Sequence, residues 1–200
     1  MKNIDAILFD IGNVLVPFDF SRALERVGAL GQVPADALRP LLMPKILAME
    51  CGALDPVDFV RDAMDLTGFS GTAEEFTDAY CDIFFDHEPM AEFVARAAEK
   101  VPLYLLSNTS EIHLAFLRGR FPLFRHFSGG AYSFESGCLK PEEKIYRDAI
   151  ERCGLRPGRT VYVDDLVANV EMGEALGFRA FCYNWRDHAA FETWIGNGGE

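Results

Sequence analysis

Asp10, Ser107 and Asp164 each stand at the end of a short apolar run, and Lys140 lies in a polar stretch between the last two. Two carboxylates brought together repel unless something positive sits between them. Mg²⁺ meets that need, because it takes few carboxylates, keeps several waters and binds through substrate phosphate. Ser107, with the backbone N–H groups that follow it at a helix start, suits phosphate oxygens. Lys140 supplies a point charge for the same group. Taken singly, each residue has a plain structural explanation: Asp10 and Asp164-Asp165 as turn openers, Ser107 as an N-cap, Lys140 as a solvated loop lysine. Four of them at strand ends together point to phosphoryl chemistry.

Such side chains need strands that all finish at one edge of a sheet. Ala6-Ile7-Leu8-Phe9 runs without alternation into Asp10, and Gly12 follows. That pattern predicts a strand buried on both faces, as in a parallel sheet. Leu103 to Leu106, a short run from Ala131 to Phe134, Thr160 to Val163 and Arg179 to Tyr183 predict the other strands. Helices fall between them: one opened by Pro89, one over Glu111 to Leu117 stopping at Gly119, one from Pro141 to Gly154, and one ending at Gly177. Strands alternating with helices imply a doubly wound, Rossmann-like parallel sheet of the α/β class, with ligands outside the carboxyl ends of its strands.

Residues 19 to 86 break that alternation and are expected to be wholly helical. Asp19 caps a helix carrying Phe20, Ala23, Leu24 and Val27 and ending near Gly28. Pro34, Pro40 and Pro44 imply a broken or kinked segment. Asp55-Pro56 is an N-cap with Pro at N1, and its helix stops at Gly68. Thr72 and Glu75 form a capping box. The expected organisation is a catalytic core over 1–16 and 88–200, with a small helical cap over 17–87 inserted after the first strand.

Composition narrows the partners. The net charge of −12 over 200 residues excludes long-range attraction to nucleic acid or an anionic membrane surface. Five scattered cysteines with no C-x-x-C pair fit reduced thiols and a cytoplasmic setting, and neither a zinc site nor a disulfide framework. No signal peptide or membrane span is indicated. Both a monomer and a homodimer remain open.

Four motifs in order resemble the haloacid dehalogenase-like superfamily: F-D-I-G-N-V-L at Phe9 to Leu15, L-L-S-N-T at Leu105 to Thr109, K-P at Lys140-Pro141, and V-D-D-L-V-A-N at Val163 to Asn169. The details, including E-S-G-C-L-K-P-E-E-K-I-Y, look closest to the subgroup that contains bacterial glucose-1-phosphate phosphatases. The resemblance implies a Mg²⁺-dependent phosphatase acting on a small phosphorylated metabolite, with sugar phosphates among the candidates. Asp10 would be the nucleophile and form an aspartyl-phosphate. Asp10, Asp164 and the Gly12 carbonyl would hold Mg²⁺, with Asp165 and Asn169 supporting the metal's waters and Lys140 from behind. Ser107, the Asn108 N–H and Lys140 would bind the phosphoryl oxygens.

The chain departs from the family pattern at Gly12, where many members carry a second Asp as general acid and base. The resembling subgroup shares this glycine. His113, one helical turn beyond Ser107, is the candidate substitute or substrate contact, with an ordinary polar helix position as its alternative. His87, His126 and His188 have no partner motif and are expected to be structural or at the surface. Two other classes compete: a metal-free dehalogenase using the same Asp nucleophile on carbon, and a non-catalytic protein that binds a phosphorylated ligand.

Overall fold

In a computed structural model, which describes residues 3–199, five parallel strands form one sheet in the order β3-β2-β1-β4-β5. In chain order, the elements are β1 (Ala6–Phe9), α1 (Ser21–Leu30), α2 (Ala35–Glu50), α3 (Pro56–Thr67), α4 (Ala73–Cys81) and α5 (Glu88–Ala98). Then follow β2 (Leu103–Ser107), α6 (Glu111–Arg120), β3 (Phe127–Tyr132), α7 (Ser133–Ser136) and α8 (Glu143–Cys153). β4 (Thr160–Asp164), α9 (Val167–Ala175), β5 (Arg179–Cys182) and α10 (His188–Gly196) complete the fold.

The unalternating runs are explained by burial on both faces. Ile7 and Phe9 of β1 join a cluster with Phe93 of α5, Leu117 of α6 and Phe191 of α10. Ala6 and Leu8 face the other way, with Ile145 and Tyr146 of α8. β1 connects to β2 on one side, whereas its other neighbour β4 connects to β5 on the far side. The crevice between the ends of β1 and β4 is therefore the switch point of the sheet, the place where open α/β sheets receive ligands.

The helical insertion builds an apolar cluster of its own, around Leu38, Leu42, Phe59, Phe76 and Tyr80. Its local signals are as expected. Asp55 accepts from the Val57 N–H, Gly68 takes the left-handed conformation at the end of α3, and Thr72 and Glu75 form a reciprocal capping box. The block is not wholly helical, however. Phe18 and Phe84 form an antiparallel bridge, flanked by Asp19 N–H to Ile83 O and Phe85 N–H to Pro17 O, so the chain leaves and re-enters through a short clasp.

Other expectations need correcting. Pro40 and Pro44 do not break α2, which runs unbroken from Ala35 to Glu50. Both prolines are exposed, so the carbonyls deprived of a donor face water, while Leu38, Leu42, Ile46 and Met49 keep a continuous buried stripe. α1 extends past Gly28 to Leu30, and its N-cap is Phe20; Asp19 accepts from the Ser21 N–H one residue earlier. Gly119 lies inside α6. α8 begins at Glu143, two residues after Pro141, and α10 had no counterpart in the expected elements. β3 begins at Phe127, earlier than expected, because Gly129 and Gly130 belong to the strand. A Cβ on Gly130 would lie 2.4 Å from the Leu105 carbonyl oxygen, so close pairing with β2 requires glycine there.

Candidate active site

β1, β2 and β4 end side by side, and the residues at their ends converge. Asp10 takes over from β1 by donating its N–H to the Val163 carbonyl at 2.9 Å. The Lys140 ammonium sits between the two carboxylates, 2.7 Å from Asp10 Oδ1 and 2.6 Å from Asp164 Oδ2. Its third proton goes to the Leu106 carbonyl oxygen at 3.0 Å. All three charged side chains are almost fully buried.

The pKa directions follow from that arrangement. Burial alone would push the Lys140 pKa down, but Asp10 and Asp164 outweigh it and hold the ammonium charged well above its ordinary range. Burial raises Asp10, Lys140 pulls it back and the Asp164 charge raises it again, leaving it above the usual carboxylate range. Burial also works to raise Asp164, but Lys140 and its hydrogen bonds bring it below the ordinary value. Asp164 is thus the fixed anion of the pair.

Asp164 owes this to saturation. Its Oδ2 accepts from Lys140 Nζ and, at 2.6 Å, from the Tyr162 hydroxyl; its Oδ1 accepts from Leu166 N–H and Asn169 Nδ2, each at 2.9 Å. Asp165 is more open and accepts one side-chain hydrogen bond, from Asn13 Nδ2 at 3.1 Å. Asn13 adopts a left-handed φ of 55°, which Asn tolerates better than most residues and which turns its amide toward Asp165. Neither Tyr162 nor Asn13 was among the expected site residues. The Gly12-Asn13 turn pair was a signal for the second, whereas Tyr162 reads only as a strand residue.

Carboxylate oxygens of Asp10, Asp164 and Asp165 lie within 4.8 Å of one another. One ammonium cannot neutralise three carboxylates, and an all-oxygen cluster of this kind suits a hard cation such as Mg²⁺. The donor set therefore fits the expected metal.

The Ser107 side chain is buried and meets only the Asn108 carbonyl, at a long 3.4 Å. Asn108 has a second task. Its side chain accepts from the Lys140 N–H at 2.7 Å and donates to the Lys140 carbonyl at 3.2 Å, clamping the lysine's backbone to the end of β2. α6 starts only at Glu111, with Ser110 as its N-cap, so the N–H groups after Ser107 belong to a loop and not to a helix's first turn.

A cavity of about 250 Å³ opens above this floor. Gly12, Ser107 and Asn108 face it from the sheet; Arg39, Glu50 and Tyr80 face it from the helical insertion. His113 is in its wall, buried, with its ring stacked on Tyr80 at 4.5 Å and its Nε2 3.5 Å from the Tyr80 carbonyl. Burial lowers its pKa to about 4. A neutral ring already engaged with α4 is a clasp between core and insertion and is poorly suited to donate protons at neutral pH.

Gly12 is not in a positive-φ conformation. What keeps it glycine is Phe18, whose ring carbon Cε1 lies 2.9 Å from where a Cβ would stand. The ring occupies the space an acidic side chain would need. Of the remaining histidines, His87 Nε2 meets the Tyr183 hydroxyl at 2.7 Å, which in turn meets His188 Nδ1 at 2.8 Å. The five cysteines are all free.

An open parallel sheet with acidic strand ends, a bridging lysine and a roofed cavity defines a hydrolase of the α/β class. The chain belongs to the haloacid dehalogenase-like hydrolases, whose family pattern matches residues 4–177. Among its relatives is the D-ribitol-5-phosphate phosphatase of Bacteroides thetaiotaomicron, 28% identical over 184 residues, covering 88% of this chain and 89% of that protein. The structure of a HAD family enzyme from the same organism matches with a TM-score of 0.81 and 25% identity, over 90% of this chain and 93% of the other. That enzyme is also known in complex with magnesium and inorganic phosphate. A predicted HAD-like hydrolase from Porphyromonas gingivalis matches with a TM-score of 0.79 and 27% identity, over 98% and 96% of the two chains. None of the described helices is long and apolar enough to cross a membrane.

Proposed function

We propose that this protein is a Mg²⁺-dependent phosphatase that hydrolyses a small phosphomonoester, of the sugar or polyol class, through an aspartyl-phosphate on Asp10. The observation that carries this is the buried Asp10–Lys140–Asp164 bridge set close to Gly12 and Ser107, which line a cavity of about 250 Å³. The phosphatase relative and the magnesium and phosphate complexes of the Bacteroides enzyme support the same class. A dehalogenase has no use for three clustered carboxylates, and a mere binding protein has no use for an unprotected nucleophile.

An Asp10 oxygen attacks phosphorus as the ester P–O bond breaks, and the leaving oxygen departs as an alkoxide that takes its proton from water. Water then attacks the same phosphorus, frees inorganic phosphate and restores the carboxylate. Lys140 holds Asp10 in place and offsets charge on the phosphoryl oxygens, while the Ser107 hydroxyl and the Asn108 N–H donate hydrogen bonds to them. Asp10, Asp165 and the Gly12 carbonyl would hold the metal, whose positive charge would offset the phosphate and the crowded carboxylates. This exchanges the expected places of Asp164 and Asp165, because all lone pairs that Asp164 can readily offer already face donors. Residues 17–87 act as the cap that closes over the site and excludes water.

The test is hydrolysis of p-nitrophenyl phosphate with and without Mg²⁺, in wild type and Asp10→Asn. Turnover should require Mg²⁺ and vanish in the variant. Halide release from haloacids without metal would establish the dehalogenase instead, and a variant retaining more than a trace of the rate would remove Asp10 as nucleophile.

A further inference from the structure

We propose that Tyr80 and Glu50 on the cap wall select substrates by hydrogen-bonding hydroxyl groups on the carbon chain of the phosphate ester, so that a polyhydroxylated ester is preferred to a plain alkyl one. The proposal rests on the phosphatase assignment above and goes on to say which residues read the rest of the molecule. Tyr80 is almost fully buried, yet its hydroxyl has no hydrogen-bond partner among the described residues. A buried polar group left unpaired costs stability and calls for an explanation. The Tyr80 ring is not loose. It stacks on His113 at 4.5 Å, lies 5.1 Å from Phe59 and meets Phe20 edge-on, so the residue is held in one position where it lines the cavity, and a small rotation would bring its hydroxyl to a ligand.

Glu50, the last residue of α2, faces the same cavity. Burial by itself raises its pKa to about 7, with no cation or hydrogen bond acting against it. Burial and the nearby Glu50 charge raise the Tyr80 phenol well above its ordinary value, and both residues line the same cavity. Together they offer a hydroxyl and a carboxyl group, able to accept and donate, in a space of about 250 Å³. That volume is below the usual range for drug-sized ligands and fits a short chain. The faces of Phe18, Phe20 and Phe84 in the same walls would cover its C–H surface. Arg39, also in the wall, argues against a cationic substrate.

Sites built to bond hydroxyls reject analogues lacking them by about 10⁴–10⁵-fold, because their own polar groups are then stranded. Here two groups should yield a preference of at least about 10²-fold in kcat/KM for a pentitol or hexitol phosphate over the unsubstituted alkyl phosphate of equal length. The experiment compares those two esters, an aminoalkyl phosphate and p-nitrophenyl phosphate, in wild type, Tyr80→Phe and Glu50→Gln, with a thermal melt of each protein. Each substitution should shrink the polyol-to-alkyl ratio about tenfold or more. Tyr80→Phe should melt no lower than wild type, since it deletes a hydroxyl the fold does not use. An unchanged ratio in both variants, a preference for the amine, or a lowered Tyr80→Phe melt would overturn the proposal. Absence of any hydrolysis with Mg²⁺ would instead overturn the phosphatase assignment, whereas p-nitrophenyl phosphate turnover with equal polyol and alkyl rates would overturn only this inference.

Discussion

Asp164 at the end of β4 has a donor for every position its two oxygens offer, and Lys140 beside it spends one proton on each of three acceptors. Across the cavity, Tyr80 has a buried hydroxyl with no partner among the described residues, and Glu50 is half-buried with no counter-charge acting on it. On the floor, Asp164 and Lys140 are saturated with hydrogen bonds before any substrate arrives; the wall lent by the insertion is left incomplete. A group that must present the same charge to every substrate is best fixed by the fold. A group that must recognise one carbon chain gains from being unsatisfied until that chain is bound.

Lys140→Met should disturb the floor most. Removing a charge aimed at developing negative charge costs about 10²–10³-fold in kcat. It also strands two buried carboxylates, a change worth about 3–5 kcal/mol of stability. The sign with pH is fixed: orphaned carboxylates bind protons more readily folded than unfolded, so the deficit is largest at neutral pH and shrinks as the pH falls. Melting curves across that range check it. A variant as stable as wild type at pH 7 would mean the ion bridge is not what holds the strand ends together.

Within the floor, Asp164 and Asp165 should separate. Asp165→Asn should raise the Mg²⁺ concentration for half-maximal rate at least about tenfold, the lower end of losses at groups that merely support a metal ligand, with little change in melting. Asp164→Asn should lower the melt and kcat together, because an amide nitrogen in place of an oxygen faces donors it cannot accept from. Titrating activity with Mg²⁺ in both variants decides the matter, and the opposite pattern would return the metal to Asp164.

The floor was legible in the sequence and the wall was not. Unalternating apolar runs announce buried parallel strands, and a polar residue at the end of each run has nowhere to go but the ligand edge. Asp10, Ser107 and Asp164 were found that way, Lys140 by the charge it would supply from a loop on the same side, and Asp55, Gly68 and the Thr72–Glu75 pair marked helix ends equally locally. Tyr80 and Glu50 carry no such mark. In α4, Tyr80 is one more aromatic at helical spacing, and its unpaired hydroxyl exists only once α2, α4 and α6 are packed together. The same holds for α2, where the prolines spoke locally for a break and the buried stripe prevailed. Asn13 and Tyr162 are intermediate cases, near the motifs but with roles set by neighbours 152 and 2 residues away.

Gly12 and Phe18 lie where floor meets wall, and the smallest expected effect belongs to them. With no acid at position 12 and His113 held neutral, the departing oxygen has little help in gaining its proton. Such help is worth roughly 10²–10⁴-fold in rate. The wild-type rate should therefore fall as leaving-group pKa rises, aryl phosphates outrunning alkyl phosphates bound equally well. Gly12→Asp alone should not repair this, because the new side chain meets the Phe18 ring. Phe18 is 43% exposed and can be cut back at little cost to the core. Gly12→Asp with Phe18→Ala should then recover about tenfold on the poorest leaving groups, a fraction of the full range because the carboxyl arrives without its supporting neighbours. Backbone strain is no obstacle, since Gly12 is not in the left-handed region. The measurement is the slope of log kcat against leaving-group pKa in the wild type, both single variants and the double. A shallower slope only in the double places the obstacle at Phe18. A flat wild-type slope, with chemistry rate-limiting, would mean that another group in the cavity already delivers the proton.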